Sequence, residues 1–294
     1  MTKTAVTAAS GGLGSEIVKA LIEVVGKENV VGLARTPKKA ETLGVEVRFG
    51  DYGSRSDLTT SLRGIDALLL VSGMDAPEKR IEQHRNVIEA AKDAGVNKIV
   101  YTSVQGAENH TAFSPIVQSN RQTEEDIRNS GLSWVIGRNG IYMEPDVEYI
   151  ETYGQRGEIA NCAGDGKCGY TTRPELAFAY ARLLTQPQHD GQIYNLHGEP
   201  ITQQQLANYL NDAFGTNLKY RPMTVSEYRE ERIGELGEFL GQVIAGIYEG
   251  IRNGAANNES HFARAAGREH QSWPSYFHLW NQRKTSSVND DSKF

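Results

Sequence analysis

The chain opens with the stretch TAVTAASGGLG, residues 4–14, and this stretch decides the fold. A short apolar run, a turn of small residues and a helix with an apolar stripe (Ile17, Val18 and Leu21) follow one another directly, which predicts a strand–turn–helix unit. Small residues let the backbone approach a pyrophosphate closely, and the helix N-terminus offers unpaired N–H groups to it. The stretch therefore predicts a dinucleotide-binding turn.

The residue after the second predicted strand indicates which dinucleotide binds. Val30–Ala34 is the next apolar run, and Arg35 follows it directly. An acidic residue there would hold a ribose 2′-hydroxyl, whereas an arginine suits a 2′-phosphate. We therefore expect a preference for NADP(H). Because Ala8 stands at the first position of the G-x-x-G-x-x-G spacing, an ordinary strand–turn–helix of an α/β protein stays open as the alternative.

Composition and charge narrow the classes of partner. The chain has 294 residues, with 31 Lys and Arg against 37 Asp and Glu, and a net charge of −6. The basic residues form no cluster, so we expect no nucleic-acid surface. No apolar run reaches about 18 residues, and the N-terminus has no charged segment followed by an apolar one. We therefore expect no membrane span and a cytoplasmic protein.

The two cysteines predict neither a metal site nor a redox site. Cys162 and Cys168 lie in a glycine-rich stretch at a spacing that fits neither kind of motif. They could pair, but a chain without a secretory signal usually keeps its thiols reduced. We interpret them as incidental thiols and expect no metal ligands.

Strand and helix patterns alternate through the first half of the chain. Apolar runs predict strands at 5–8, 30–34, 45–49, 67–71, 98–102 and 133–136, with helices near 15–25, 55–63, 78–94 and 115–130. Short apolar strands separated by helices favour a parallel sheet covered on both faces. We predict an α/β fold, a Rossmann-type doubly wound parallel sheet with a smaller C-terminal α/β substrate-binding region. We assign residues 1–150 to the dinucleotide-binding domain, to which later segments could return, 151–282 to the substrate-binding cap, and 283–294 to a frayed tail.

The second half carries an apolar stripe that glycines interrupt. Patterns there predict a helix at 174–184, a strand near 193–196 and a helix near 202–214. Thr224 and Glu227 form the Thr-x-x-Glu pattern of a capping box, ahead of apolar residues at helical spacing between Leu236 and Ile251. Glycines within this run lower its helix propensity. A cap helix over a substrate cleft and an uneven core helix explain the run equally well.

Motifs at the predicted strand ends resemble those of a known family. They are ARTPKKA at 34–40, GDY at 50–52, LLVSG at 69–73, QHRNV at 83–87, YTS at 101–103, RNGIY at 138–142 and AGDGK at 163–167. With the opening stretch, these motifs resemble the NmrA-like branch of the atypical short-chain dehydrogenase/reductases. They are most similar to bacterial NADPH-dependent quinone reductases and triphenylmethane-dye reductases. The resemblance covers roughly the first 200 residues, and the C-terminal third matches only loosely.

The resemblance implies a role for each strand end. The pyrophosphate would lie against Ser10, Gly11, Gly12 and Leu13, and the 2′-phosphate would be held by Arg35 and Lys39. Asp51 and Tyr52 would border the adenine, and Ser72 and Gly73 would line the ribose. The nicotinamide and the acceptor would lie beside Asn139, Gly140, Ile141 and Tyr142. Thr7, Thr102 and Ser103 complete the expected cofactor-binding set; Tyr52 and Tyr142 could instead be packing aromatics.

The proton relay usual in this superfamily is absent. Carbonyl-reducing members use a Tyr-x-x-x-Lys pair with a Ser or Thr, in which the Lys lowers the pKa of the Tyr. This chain has Asn120, Glu124 and Val104 near those positions. A quinone, an azo compound or a cationic dye accepts hydride readily and can take its proton from water, so it needs alignment more than an acid. We predict an NADPH-dependent reductase that passes hydride directly to a planar, electron-poor small molecule, with Tyr142 and Asn120 nearest the chemistry.

Two other functions stay open at this point. An NmrA-type regulator would bind NADP(H) without turnover and report the redox state to a protein partner. A nucleotide-sugar epimerase-like enzyme would need an acid/base pair and a retained NAD, and both Arg35 and the missing pair count against it. The sequence leaves a homodimer open and does not identify the acceptor.

Overall fold

The computed structural model describes residues 2–291, with side chains to residue 282. The strands are β1 (Thr4–Val6), β2 (Val30–Ala34), β3 (Glu46–Phe49), β4 (Ala67–Val71), β5 (Lys98–Val104), β6 (Ser133–Asn139), β7 (Ile141–Tyr142), β8 (Glu158–Asn161), β9 (Tyr170–Thr171), β10 (Gln192–Leu196) and β11 (Lys219–Pro222). The helices are α1 (Gly12–Val25), α2 (Arg55–Ser61), α3 (Pro77–Asp93), α4 (Ser114–Arg128), α5 (Glu144–Glu148), α6 (Ile150–Arg156), α7 (Arg173–Thr185), α8 (Gln203–Phe214), α9 (Val225–Leu236), α10 (Glu238–Arg252), α11 (Phe262–Ala266) and α12 (Trp273–Asp291).

A parallel sheet forms the centre of the molecule. Across residues 2–291 its seven strands run in the order β10-β6-β5-β4-β1-β2-β3. Both neighbours of β1 are parallel to it, with Ala5 opposite Val31 on one side and Leu68 on the other. Strand order reverses between β1 and β4, and in such sheets the ligand crevice opens at the carboxyl ends of the strands on either side of that point. The predicted Rossmann-type α/β fold is confirmed.

The sheet is buried on both faces because helices cover both sides. Leu69 of β4 packs in a core with residues of α1 and α7, while Leu68 and Leu70 of the same strand pack with residues of α2, α3 and α4. A strand with two buried faces needs apolar residues at successive positions. This requirement explains the continuous apolar runs of the sequence.

The chain leaves the sheet after β6 and returns to it later. Helix α7 packs against α1, and β10 pairs with β6 in parallel, Ile193 opposite Ile136. The segment 173–196, which falls within the predicted cap at 151–282, therefore completes the central sheet. The rest of the cap contains the parallel pair β8–β11 and a core that includes Trp273. The tail predicted at 283–294 falls on α12 as far as Asp291, and residues 292–294 lie outside the described residues.

The apolar run predicted on one stripe forms two helices. The capping box predicted at Thr224 and Glu227 begins α9, and Gly237, with a φ of 80°, separates α9 from α10. The two helices pack closely, since a Cβ on Gly241 would lie 2.5 Å from the backbone of Ile233. Helix α10 also lies against the segment after β5, where a Cβ on Gly246 would lie 2.4 Å from the backbone nitrogen of Phe113. Gly241 and Gly246 thus serve close helix packing, whereas a Cβ on Gly234 would meet nothing within 4 Å.

Candidate cofactor and acceptor site

The turn between β1 and α1 depends on close backbone approach. Ala8 has a φ of 50°, in the left-handed region that glycine usually occupies. Its carbonyl oxygen accepts from the Gly11 N–H at 2.9 Å, and a Cβ on Gly14 would lie 2.3 Å from the same oxygen. Gly11 is the N-cap of α1 and has no side chain with which to cap the helix. The N–H groups of the first helical turn therefore suit an anion at this turn.

An open cleft of about 430 Å³ lies over the carboxyl ends of β1 to β4. It brings together eight of the predicted cofactor-binding residues: Ser10, Gly11, Arg35, Lys39, Asp51, Tyr52, Ser72 and Gly73. It is also lined by Ala8, Thr36, Gly50, Met74, Asp75 and Gln83. Arg35 and Lys39 are exposed, so their cationic groups are available to a phosphate within this cleft.

Thr7 lies beneath the cleft and joins its supporting strands. The Thr7 hydroxyl donates to the Leu69 carbonyl at 3.0 Å and accepts from the Val71 N–H at 2.9 Å. The Tyr52 hydroxyl lies 2.5 Å from Thr7 Oγ1 and 2.8 Å from the Val71 carbonyl oxygen. Thr7 is fully buried. Through these hydrogen bonds its hydroxyl connects the end of β1 to β4 and orients Tyr52.

Other predicted residues also lie outside this cleft. Leu13 is buried in the core beneath α1, and Thr102 and Ser103 are buried in β5. The motif at 139–142 lies at the other end of the strand-end crevice, after β6. The cleft thus accounts for one end of the predicted dinucleotide site, and the buried residues support it from below.

Buried groups fix the backbone segment that follows β4. The Ser72 N–H donates to Thr102 Oγ1 at 2.9 Å, and the Gly73 N–H donates to His84 Nε2 at 2.9 Å. Burial and the nearby charge of Arg80 lower the pKa of His84 to about 3. His84 is therefore neutral and accepts a hydrogen bond from Gly73, which makes it a support for the cleft and not a source of protons.

Asn120, which the family resemblance places near the usual relay tyrosine, makes its hydrogen bonds to the protein interior. It is 1% exposed. Its Nδ2 donates to the Ile116 carbonyl at 2.8 Å, and its Oδ1 accepts from the Tyr101 hydroxyl at 2.6 Å and from Ser72 Oγ at 3.1 Å. An amide has no proton to give at neutral pH. Asn120 therefore connects α4 to Ser72 at the edge of the cleft without supplying an acid.

Glu124, which the family resemblance places near the usual relay lysine, is the centre of a buried ion-pair cluster. Arg138 binds both of its oxygens, at 2.9 and 2.6 Å, and Arg121 Nη1 lies 2.8 Å from Oε1. Ser103 donates to the same Oε1 at 2.6 Å. Burial alone would raise the pKa of Glu124, but the Arg138 hydrogen bonds and the Arg121 charge hold that pKa below its usual value. Glu124 is thus an ionised carboxylate that joins α4 to β5 and β6.

The end of β6 positions Tyr142. The Tyr180 hydroxyl lies 2.6 Å from Asn139 Oδ1, and the Asn139 side chain hydrogen-bonds Tyr142 in turn. The Arg173 guanidinium lies over the Tyr142 ring, 5.1 Å from its centroid. Burial raises the pKa of Tyr142 to about 12, although the Arg173 charge opposes the shift. Tyr142 is therefore a neutral phenol at physiological pH.

A second, apolar cleft lies beside this strand end. Ile141 lines it together with Gln105 and Phe113, and α10 closes it with Gly246, Ile247, Gly250 and Ile251. Its volume is about 10 Å³, room for roughly one water molecule. Gly140, next to Ile141, lies where a Cβ would be 2.2 Å from the Gly169 carbonyl oxygen. Only a glycine allows this approach between β6 and β9.

Arg173 is a candidate site residue that the sequence analysis missed. It is the first residue of α7, and a Cβ on Gly12 would lie 3.2 Å from its Nε. Its guanidinium therefore stands between the N-terminus of α1 and Tyr142. The backbone N–H of Arg173 donates to Glu144 Oε1 at 2.7 Å, which fixes the start of the helix. The local signal, Thr-Arg-Pro-Glu at 172–175, marks a helix start but does not reveal what the arginine faces.

The described residues show no sign of a metal centre or a membrane span. Among the side chains that the structure describes, residues 2–282, no three His, Cys, Asp or Glu are grouped to hold a metal ion. The helices within residues 2–291 are each too short or too polar to cross a bilayer. Cys162 and Cys168 are buried and unpaired with each other.

Comparison with known proteins identifies the family. Residues 8–187 match the family model described as NAD(P)H-binding. Quinone oxidoreductase 2 of Escherichia coli is 35% identical over 228 residues, which cover 76% of this chain and 79% of that protein. The NAD(P)H azoreductase of Xenophilus azovorans is 28% identical over 251 residues, covering 83% of this chain and 85% of that protein. The structure of Citrobacter sp. triphenylmethane reductase complexed with NADP(H) has a TM-score of 0.87 at 31% identity, covering 95% of this chain and 99% of that chain.

The site residues fit a nicotinamide dinucleotide. The uncapped start of α1 and Arg173 suit a pyrophosphate, and the open cleft with Arg35 and Lys39 suits a phosphorylated adenosine. The predicted family and the predicted nicotinamide cofactor are confirmed. The chain belongs to the NAD(P)H-binding family, in the NmrA-like branch of the atypical short-chain dehydrogenase/reductases, and is an NAD(P)H-dependent oxidoreductase.

Proposed function

We propose that the chain is an NADPH-dependent reductase that delivers hydride directly to a planar, electron-poor small molecule. A quinone, an azo compound and a triphenylmethane dye are acceptors of this kind. The observation that carries the proposal is the inward bonding of Asn120 and Glu124, both 1% exposed. These residues occupy the positions of the usual relay, and neither has a proton to deliver. The names of the relatives, which include a quinone oxidoreductase and an azoreductase, support the same acceptor class.

The cofactor would lie along the strand ends with its adenosine end in the open cleft. Arg35 and Lys39 would bind the 2′-phosphate there, which underlies the preference for NADPH over NADH. The start of α1 and Arg173 would hold the pyrophosphate from two sides, since Arg173 Nε lies close to Gly12. In this orientation of the cofactor, its nicotinamide end would lie at the strand end formed by residues 139–142.

The acceptor end would orient the reactants and leave protonation to solvent. Bound NADPH supplies a hydride from its nicotinamide ring. Tyr142, held by Asn139 and covered by Arg173, offers a fixed ring face and a neutral hydroxyl. With a pKa of about 12, its phenol is a poor acid at neutral pH. Such a site favours acceptors whose reduced form needs no proton from the enzyme as hydride arrives.

The test is oxidation of NADPH, and then NADH, with a panel of quinones, azo dyes, triphenylmethane dyes, aldehydes and ketones. We expect turnover with at least one of the first three classes, none with aldehydes or ketones, and a rate that is flat between about pH 6 and 9. Ketone reduction that depends on a group titrating near neutral pH would overturn the proposal, because it would require a relay.

One observation favours a second candidate, an NADP(H)-sensing regulator of the NmrA type. The apolar cleft beside Ile141 holds only about 10 Å³, so an acceptor could enter it only if α10 moved. A regulator needs no such opening. Tight NADPH binding with no turnover across the whole panel would support this candidate over the reductase.

A further inference from the structure

We propose that Met74 is the cover of the adenine site, an apolar side chain that packs on the adenine ring when the cofactor binds. The proposal rests on the assignment of the open cleft to the adenosine end of the cofactor. Met74 lines that cleft and is 91% exposed. By contrast, Met143 in the core is fully buried. A lone exposed apolar residue is common on protein surfaces, so the argument depends on how this one is held and what it faces.

The backbone on both sides of Met74 is held by buried side chains of α3. The Gly73 N–H donates to Nε2 of His84, which is fully buried, at 2.9 Å. The Asp75 carbonyl accepts from Nη2 of Arg80, which is 4% exposed, at 3.0 Å. A side chain on a fixed backbone has less conformational freedom to lose when a ligand covers it. Two buried polar side chains thus hold the backbone on either side of an apolar side chain that lines an open cleft.

The Asp75 side chain fixes the same segment from the outside. Gln83 Nε2 donates to its Oδ2 at 2.6 Å, and Lys79 Nζ lies 3.5 Å from Oδ1. The Met74 side chain itself is 91% exposed and so packs on little of the surrounding protein. Its three rotatable bonds let it adapt to a ring placed beneath it.

The remaining cleft lining explains why such a cover is useful. Arg35, Lys39, Asp51 and Asp75 are charged and can bind phosphate and hydroxyl groups, which leaves Tyr52 and Met74 as the large side chains of the lining that offer an aromatic or apolar face. An adenine ring buries its faces best against apolar or aromatic groups, and a methionine sulfur makes favourable contacts with aromatic rings. Because a thioether is uncharged, Met74 should contribute equally to NADPH and NADH, unlike Arg35.

The first test compares Met74→Ala with Met74→Leu. The Kd values for NADPH, NADH and adenosine 2′,5′-bisphosphate, which lacks the nicotinamide, are measured by fluorescence or calorimetric titration. We expect Met74→Ala to raise all three Kd values about fivefold, with the ratio of NADPH to NADH unchanged, and Met74→Leu to stay within about twofold of wild type. Unchanged Kd values in Met74→Ala would overturn the proposal.

The second test uses oxidation of methionine as a footprint and needs no variant. Hydrogen peroxide transfers one oxygen atom to a thioether sulfur, giving a sulfoxide and water, and mass spectrometry follows each methionine. We expect rapid oxidation of Met74 in the free protein and several-fold protection by adenosine 2′,5′-bisphosphate. The partly buried Met223, which packs with Tyr228 and Ala245 in the cap, is the internal control and should not respond. Equal oxidation of Met74 with and without this ligand would overturn the proposal.

The assignment of the cleft to the adenosine end and the role of Met74 would be contradicted by different results. If the cleft does not hold the adenosine end, adenosine 2′,5′-bisphosphate will not compete with NADPH, and substitution of Arg35 will leave the cofactor preference unchanged. If only the role of Met74 is wrong, the bisphosphate will compete normally and bind Met74→Ala as tightly as it binds wild type.

Discussion

The two ends of the strand-end crevice differ in openness, charge and origin. The end over β1 to β4 is an open cleft of about 430 Å³ with exposed cations, whereas the end beside β6 and β7 is an apolar cleft of about 10 Å³ beneath α10. Residues of the first end follow directly on single strands. Those of the second, such as Ile141 and Gly250, come from distant parts of the chain. Under the proposed function, this difference means that cofactor choice would depend on local sequence and acceptor choice on tertiary packing.

The largest effect is expected at the open end. Arg35→Asp would place a carboxylate where we propose that the 2′-phosphate binds, and should weaken NADPH binding by about 100-fold, through loss of charge-assisted hydrogen bonds and added repulsion. NADH should change by less than about threefold. Binding titrations with both cofactors measure this, and Arg48→Asp, on β3 away from the cleft, is a control of the same charge change. A preference that stays unaltered would remove the 2′-phosphate role from Arg35.

The second prediction concerns the pH dependence of stability at a buried carboxylate in the helix that follows β7. Asp146 of α5 is 4% exposed, and burial raises its pKa to about 6 from an ordinary 3.8, although a hydrogen bond from Tyr153 at 2.9 Å opposes the shift. Because the folded pKa is the higher one, stability should fall as pH rises from about 4 to 6. Asp146→Asn should therefore be more stable than wild type by about 3 kcal/mol at pH 7 and equal to it below pH 4. Urea unfolding at both pH values measures the difference, and a gain that is the same at both would contradict the assignment.

The third prediction tests whether the apolar cleft beneath α10 must open for the acceptor to enter. The Ala107 Cβ lies 3.8 Å from where a Cβ on Gly250 would be, within the roughly 3.5–4.5 Å of a disulfide. The oxidised double variant Ala107→Cys/Gly250→Cys should lose at least about tenfold in acceptor turnover, with the Kd of NADPH unchanged, and should recover on reduction. The two single variants are the controls. Full turnover by the oxidised variant would mean that the acceptor does not enter beneath α10.

The smallest effect is expected at Asn120. Asn120→Ala should lower turnover by less than about fivefold, against about 10²–10⁴-fold for loss of a general acid. Tyr101→Phe, which removes the hydrogen bond to the Asn120 amide at 2.6 Å, is the matched control. A loss of about 100-fold in Asn120→Ala, with full activity in Tyr101→Phe, would show a proton path through the amide.

Eight residues predicted for the cofactor site lie together in the open cleft because their positions depend on local sequence. Arg35 follows directly on β2, and Gly14 lies in the first turn of the helix that follows β1, so the order of the strands fixes where both residues lie. Even the departure at Ala8 has a local cause, since the residue takes the left-handed φ that a glycine would. Thr7, Thr102 and Ser103 were identified as part of the site, but sequence alone could not show that their hydroxyls bond inside the protein.

The closed end could not be derived in the same way. Arg173 reaches Gly12 only because α7 packs on α1, a contact between segments about 160 residues apart. The break at Gly237 depends on α10 folding back on α9, where Gly241 meets Ile233. Periodicity specifies an apolar stripe, but the partner that covers the stripe is a property of the whole fold.

The ion-pair cluster around Glu124 constrains how this protein can evolve. A lysine at position 124 would leave Arg121 and Arg138 facing a third cation at a point that is 1% exposed. A buried charge without its partner costs several kcal/mol, so this single substitution would destabilise the fold. A lysine could therefore be accommodated at 124 only together with changes at 121 and 138.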